Sequence, residues 1–417
     1  MESKEFKVLI LGGGNCGLAL ASGLKKAGID YTVFERDDEH TFYNGPRDWG
    51  MLLHWGDEYL KKVLPDFLVD RIKESRCNPH LEDATVAGKR VPFVDALSGL
   101  VLAEVPMEGV NRISRMKLRK FLTGDQTLNI QFQKLVQNVT VENESVTVHF
   151  QDGTVESGTA IVGCDGSRSK VREFLVGVEA AQLQSVGMTM INFPLSGYTA
   201  EEANLLQTLH PVFKIAAHPQ RPGNAILAAL DVQNPDEPTA WKFQNYIGWW
   251  GPPYASDLQD PTERKTYYRS FTKDFCEPFH TAAMKLRDED TLPIYAGCQW
   301  SPDMAWDNHN GRVTIAGDAA HSMLPQRGQG LNNAMKDASD LVDAFKIAIS
   351  GECTLQEAIT GYEHEMKPRG SKEVALSYEQ AVKARDQSTI LDSPIFKLGW
   401  KRDASSHAVR TAETVEG

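Results

Sequence analysis

The absences in this chain narrow it first. No apolar run approaches the roughly 18 to 20 residues needed to cross a bilayer, and the residues before Phe6 are polar and charged, without the hydrophobic stretch of a signal peptide. Only six cysteines occur in 417 residues (Cys16, Cys77, Cys164, Cys276, Cys298 and Cys353), with neither close pairing nor the spacing of metal ligands. A reducing, cytoplasmic setting is expected. Basic residues are in the minority, 44 Lys and Arg against 56 Asp and Glu. They are scattered rather than gathered into a stripe, which removes the electrostatic footprint of a nucleic-acid binder. His210, His218, His280, His309 and His321 also lack metal-type spacing, so no metal site is expected.

What is present points to a large enzyme-like core. A chain of this length that is 41% hydrophobic supports two interlocked domains. Phe6 to Leu11 reads as a buried parallel strand, and Gly12-Gly13-Gly14-Asn15-Cys16-Gly17 follows it as Gly-x-Gly-x-x-Gly. Leu20, Leu24 and Ala27 then mark one helix face, Gly28 ends that helix, and Tyr31 to Phe34 form a second strand closing at Glu35. Each glycine has a physical task. Gly12 allows the tight turn, Gly14 lets backbone amides approach a pyrophosphate, and Gly17 lets helix and strand pack closely. Glu35, about 20 residues on at a strand end, is placed to accept hydrogen bonds from a ribose.

Further along, Val139 to Val155 reads as a three-stranded meander, and Ala160 to Cys164 as a buried strand leading into Asp165-Gly166. From Gly187 to Trp250, apolar runs broken by Pro, Gly, Asn and Asp predict an antiparallel sheet. A buried strand at Arg312 to Ala316 leads to Gly317-Asp318, then to the loop Pro325-Gln326-Arg327-Gly328-Gln329-Gly330. A helix from Leu331 is expected to stop before Gly351, with more helical sequence to about Arg385 and fraying of the last residues, which are rich in Ser, Ala and Glu.

These motifs, in this order and spacing, resemble the single-component (group A) FAD-dependent monooxygenases typified by para-hydroxybenzoate hydroxylase and salicylate hydroxylase, especially their fungal biosynthetic branch. The resemblance rests on Gly12-x-Gly14-x-x-Gly17 with Glu35-Arg36, on Asp165-Gly166, and on Gly317-Asp318 followed by Pro325 and Gly328-x-Gly330-x-Asn332. It implies an α/β fold in which a Rossmann-like FAD-binding domain is interleaved with a substrate domain built on an antiparallel sheet, plus C-terminal helices. The expected division gives 1–75, 100–185 and 285–345 to the FAD domain, 76–99 and 186–284 to the substrate domain, and 346–417 to C-terminal helices and tail.

It further implies that FAD is held by Gly12, Gly14, Asn15, Cys16, Gly17, Glu35, Arg36, Arg47, Arg115, Asp165, Gly317, Asp318, Pro325, Gly328, Gly330, Leu331 and Asn332. NAD(P)H would act as a transient co-substrate and O2 as the oxidant, through a C4a-hydroperoxide of the flavin. No second Gly-x-Gly-x-x-Gly unit follows a strand, so the reductant would dock on the FAD domain. The substrate, an aromatic, indole or polyketide-type molecule, would be hydroxylated or epoxidised in secondary metabolism by a monomer or homodimer. Met190, Phe193, Phe213, Leu227, Trp249 and Trp250 are candidates for its wall, with Asn192, Lys214 and Tyr246 as polar contacts. Alternation admits only half of them, and the register is open.

Two other readings share the fold: an FAD-dependent prenyl or alkene reductase, and a flavin-fold carrier without catalysis. The chain lacks the Arg-x-Gly-Gly-Arg segment of amine oxidases after Arg36, and Trp249-Trp250-Gly251-Pro252-Pro253 departs from the Trp-x-Trp-x-Ile-Pro of flavin halogenases.

Overall fold

The computed structural model describes residues 6–82, 89–107, 109–142 and 144–400. The expected frayed tail at 401–417 lies outside them. A five-stranded parallel sheet runs Val313–Ile315, Ala160–Gly163, Lys7–Leu11, Asp30–Phe34, Ile130–Gln131 from edge to edge. Val8 to Leu11 are fully buried, as both faces of a parallel sheet require when other layers cover them. One cover is the helix Asn15–Lys26, with nine consecutive buried residues from Cys16 to Leu24. A Cβ on its Gly23 would lie 2.6 Å from Val342 of the helix Gly330–Ser350, so this glycine sets how closely the two helices pack. The meander Val136–Glu142, Ser145–Phe150, Val155–Gly158 adds Val146, Val148 and Phe150 to the same core.

The second layer is a seven-stranded sheet in the order Ile294–Gln299, Gln184–Leu195, Lys242–Trp250, Gly223–Asp231, Phe213–Ala217, Arg90–Asp95, Val101–Pro106. It therefore takes in strands at 101–106 and 294–299, outside the 76–99 and 186–284 segments expected for it. Direct cross-strand neighbours share a face. The rows Met190, Gly248, Asn224 and Asn192, Tyr246, Ile226, Ile215 lie on one side, while Ile191, Phe193, Leu227, Phe243 and Trp249 pack on the other in a core that also includes Ala203, Phe271 and Phe279 of the covering helices. A two-stranded ribbon, Gly50–Leu53 with Asn111–Ser114, lies between the layers. Among the described residues no helix is long and apolar enough to cross a membrane.

The C-terminal helices follow local rules. Gly351 ends the helix Gly330–Ser350 in the left-handed region at φ +79°. A capping box of Thr354 and Glu357 starts Leu355–Lys383.

One side chain joins these parts. Asn332 Oδ1 accepts from the backbone amides of His54 (2.9 Å) and Gly56 (3.0 Å), and its Nδ2 donates to the carbonyls of Leu52 (2.9 Å) and Gly328 (3.0 Å) and lies 3.0 Å from His54 Nε2. Replacing it by leucine strands several buried backbone groups. Asn332→Leu is expected to lower the unfolding free energy in urea by about 3 kcal/mol; an unchanged midpoint and slope would contradict this role.

His54, held by that amide, is buried, and burial pushes its ring down to about 4. The folded ring is neutral at pH 6, whereas an unfolded ring near pH 6.5 takes up a proton. Stability therefore falls as pH drops from about 6.5 to about 4, and this contribution is flat below that. Thermal melts across the window are expected to show a shallower decline for His54→Gln than for the parent chain.

Candidate cofactor cleft and the wall opposite it

The Gly-rich turn is built by contacts that leave no room for side chains. Gly12 has φ +113°, and a Cβ there would collide with the Cys164 carbonyl; a Cβ on Gly17 would collide with the Gly12 carbonyl. Gly14 differs, since a Cβ there meets nothing within 4 Å. The helix Asn15–Lys26 starts at Gly14 with no side-chain cap, so its first amides and the positive end of its dipole face open space. Asn15 Nδ2 reaches the Arg115 carbonyl at 3.5 Å while its Oδ1 is buried without a partner. Glu35 is fixed at the end of the second strand, accepting from the amides of Gly13 (3.0 Å) and Asp37 (2.9 Å).

Asp318 forms the other side. Gly317 has φ +62°, and a Cβ on it would lie 3.1 Å from Cys16. The Asp318 carboxylate accepts no hydrogen bond from the described residues. It is open to solvent, yet burial by the surrounding protein pushes its pKa up, against the pull of the His321, Arg115 and Arg172 charges. Open and walled in at once, it stands inside a cleft. The helix Gly330–Ser350 begins beside it, again with no side-chain cap, and the position of a Gly330 Cβ is 3.9 Å from Asp318 Oδ1.

The turn before Asp318 is held from behind. Asp337 Oδ2 accepts from the Gly317 amide (2.8 Å) and from His321 Nε2 (2.7 Å), and Oδ1 accepts from Arg369 (2.7 Å). Burial alone would raise this carboxyl, but the His321 and Arg369 charges hold it well below the usual carboxylate range. Arg172 is also buried and donates to the carbonyls of Ser167 (2.5 Å), Ala181 (3.1 Å) and Ala319 (3.1 Å), tying the Asp165 turn to the Asp318 turn.

The structure thus brings Gly12, Gly14, Asn15, Gly17, Glu35, Arg115, Gly317, Asp318 and Gly330 around one cleft. Arg115 donates to the Arg47 carbonyl (3.2 Å) and stacks 4.7 Å over Trp49. Arg36 and Arg47 extend into solvent. The side chains of other expected ligands serve the framework. Cys16 points inward, its thiol 3.5 Å from the Ala334 carbonyl. Asp165 Oδ2 accepts from the Lys170 amide (2.7 Å), although its Oδ1 is buried and unpartnered. Leu331 belongs to the core, and Asn332 is the clamp described above. Pro325 opens the short 3-10 turn Pro325–Arg327, and Gly328 (φ +63°) lies against Leu52.

Arg119 was not expected here. It sits one helical turn after Arg115, donates to the Phe42 carbonyl at 2.6 Å and stacks 4.1 Å over that ring. Burial, with the Arg115 charge, pushes its guanidinium down to about 10. The i, i+4 spacing of the two arginines was the available signal.

Period-two geometry sorts the candidate wall. Met190, Phe213 and Tyr246 stand on the face turned toward the Pro325–Gly330 loop. Phe193, Lys214, Leu227 and Trp249 stand on the other, which corrects their placement at a substrate. Phe193 packs edge-on to Tyr268 at 5.2 Å and Trp249 lies 4.7 Å from Tyr267. Lys214 is buried and donates to the carbonyls of Leu206 and Thr208, and burial pushes its amine down to about 7.

Two uncapped helix starts, a partnerless carboxylate and the open space at Gly14 around one cleft fit a dinucleotide with its pyrophosphate. Comparison with known proteins agrees. The family described as "FAD binding domain" matches residues 5–55 and 68–377. The chain is 33% identical over 405 residues to the FAD-dependent monooxygenase phnB of Penicillium herquei, covering 96% of both. It is 32% identical to the FAD-dependent monooxygenase cctM of Talaromyces islandicus, covering 96% of this chain and 98% of that one. The fold is shared with Klebsiella pneumoniae HpxO complexed with FAD and uric acid, at TM-score 0.74 and 20% identity over 98% of this chain and 95% of that one.

Because a Gly14 Cβ meets no protein atom, Gly14→Ala is expected to melt like the parent as apoprotein yet bind FAD at least about tenfold more weakly, roughly 1.4 kcal/mol. Asp318→Ala is expected to weaken FAD binding by a similar factor, about tenfold. Titration of apoprotein with FAD by flavin fluorescence checks both, and parent-like affinity in the two variants would remove these residues from the site.

Proposed function

This chain belongs to the FAD binding domain family and is an FAD-dependent monooxygenase, and on that footing we propose how it works. It takes electrons from NADH or NADPH and transfers one atom of O2 to a small aromatic, indole or polyketide-type molecule lying between the seven-stranded sheet and the Pro325–Gly330 loop. The outcome is hydroxylation or epoxidation. A place in secondary metabolism is the reading its fungal relatives support. The observation that carries the proposal is the meeting of two uncapped helix starts and Asp318 in one cleft, with the Met190 and Tyr246 face of the sheet turned toward the adjoining loop.

FAD, when bound, supplies electron storage and the activation of oxygen. The chain's own residues bind and orient. Glu35 is placed for the ribose hydroxyls, the amides after Gly14 for the phosphates, and Asp318 for hydroxyls of the sugar-like chain. The amides at the start of the helix Gly330–Ser350 would face the pyrimidine edge of the ring, where the helix dipole favours the negative charge gained on reduction. The Met190 and Ile226 side chains on that face of the sheet help to exclude water from the reacting centre.

The purified protein is expected to show flavin absorbance and to consume NADPH and O2 together, several-fold faster with an accepted phenol, indole or polyketide-like aromatic and with an oxygenated product. Bound flavin with no oxygen-dependent turnover across such a panel would overturn the monooxygenase reaction and favour the reductase.

A further inference from the structure

The sheet face that looks at the Pro325–Gly330 loop carries a small polar cluster set in a sulfur-rich wall. Its centre is Tyr246. A Cβ on Gly248 would collide with the Tyr246 hydroxyl and lie 2.6 Å from Met188 Cε. The ring therefore folds back along the sheet and leaves its hydroxyl above Gly248, whose direct cross-strand neighbours are Met190 and Asn224. From the loop, Gln326 Nε2 donates to that hydroxyl at 3.0 Å and lies 3.5 Å from Met188 Sδ and 3.9 Å from Met190 Sδ.

Two acceptors in this cluster, Gln326 Oε1 and Asn224 Oδ1, are buried and unpartnered. A buried acceptor without a donor costs about 1–3 kcal/mol, and native structures seldom leave one so. The Tyr246 hydroxyl accepts from Gln326, and among the described residues no acceptor takes its own proton. Burial raises its pKa and no charged group acts on it, so it remains a donor. Of the cations on adjoining elements, Arg327 pairs with Glu373 through Nη1 at 2.5 Å while its Nε and Nη2 are buried without a partner among the described residues, and Arg385 lies 5.9 Å over the Trp250 ring.

We infer that Gln326, Tyr246 and Asn224 are specificity-determining residues that read a hydroxyl on the substrate ring in its neutral form. The substrate O–H donates to Gln326 Oε1 or Asn224 Oδ1, and its oxygen accepts from the Tyr246 hydroxyl. A phenolate would meet two acceptor oxygens, and stripping it of water there is costly. The inference rests on the substrate position proposed above.

The test uses the full FAD-loaded chain with three probes: 1-naphthol, its methyl ether, and 2,4-dinitro-1-naphthol, which is ionised at neutral pH. Binding is read by calorimetry and by perturbation of the flavin spectrum. The parent is expected to bind 1-naphthol at least about tenfold more tightly than the ether or the ionised probe, as one buried hydrogen bond allows. That ratio is expected to fall below about threefold in Gln326→Leu and in Tyr246→Phe, as loss of the same bond requires. Equal binding of naphthol and ether, preference for the ionised probe, a ratio kept in both variants, or no binding by any probe would each overturn the inference. Naphthol discrimination without oxygen uptake would leave this site standing while removing the assigned reaction.

Discussion

Where the strands Lys7–Leu11, Ala160–Gly163 and Val313–Ile315 end, three turns meet in close contact. Gly12 rests on the Cys164 carbonyl, Gly17 on the Gly12 carbonyl, and Gly317 on the Cys16 side chain. With no room left at these glycines, neither helix start can shift without the other turns moving. Gly317 is held in its positive-φ conformation by a hydrogen bond to Asp337, itself gripped by His321 and Arg369. Such a conformation persists where the surroundings over-determine it. The cleft is thus fixed from beneath by packing and from behind by a buried charged network.

Charge follows the same division. The carboxylates that face the opening, Glu35 and Asp318, differ in their state: backbone amides hold Glu35, and Asp318 accepts no hydrogen bond from the described residues. Asp337 behind the turn is fully committed.

Much of this was legible in the sequence. The glycine spacing, Glu35 and Gly317-Asp318 carry their geometry in local pattern, because a tight turn after a strand dictates which positions can hold a Cβ. The same pattern does not say what its side chains touch: Asn332 lies inside the diagnostic loop, and its side-chain amide is spent on Leu52, His54, Gly56 and Gly328. Cys16, within the first turn, faces the core. The Asp337–Arg369 pair joins two helices 32 residues apart, and nothing local announces such a partnership. On the sheet, composition identified the strands but not their phase, and a one-residue change of phase exchanges Phe193 for Asn192 and Trp249 for Gly248.

The two faces of that sheet answer to different demands. Residues that look away from the cleft, such as Phe193, Leu227 and Trp249, are locked into an aromatic core where a lost methylene is felt as lost stability. Those that look toward it, Met190, Asn192 and Ile226, keep some surface open and answer mainly to whatever lies against them. Neighbours along one strand therefore diverge in mutability. Descendants of this chain can change what they accept at every second residue while preserving, at the positions between, the core that keeps them folded.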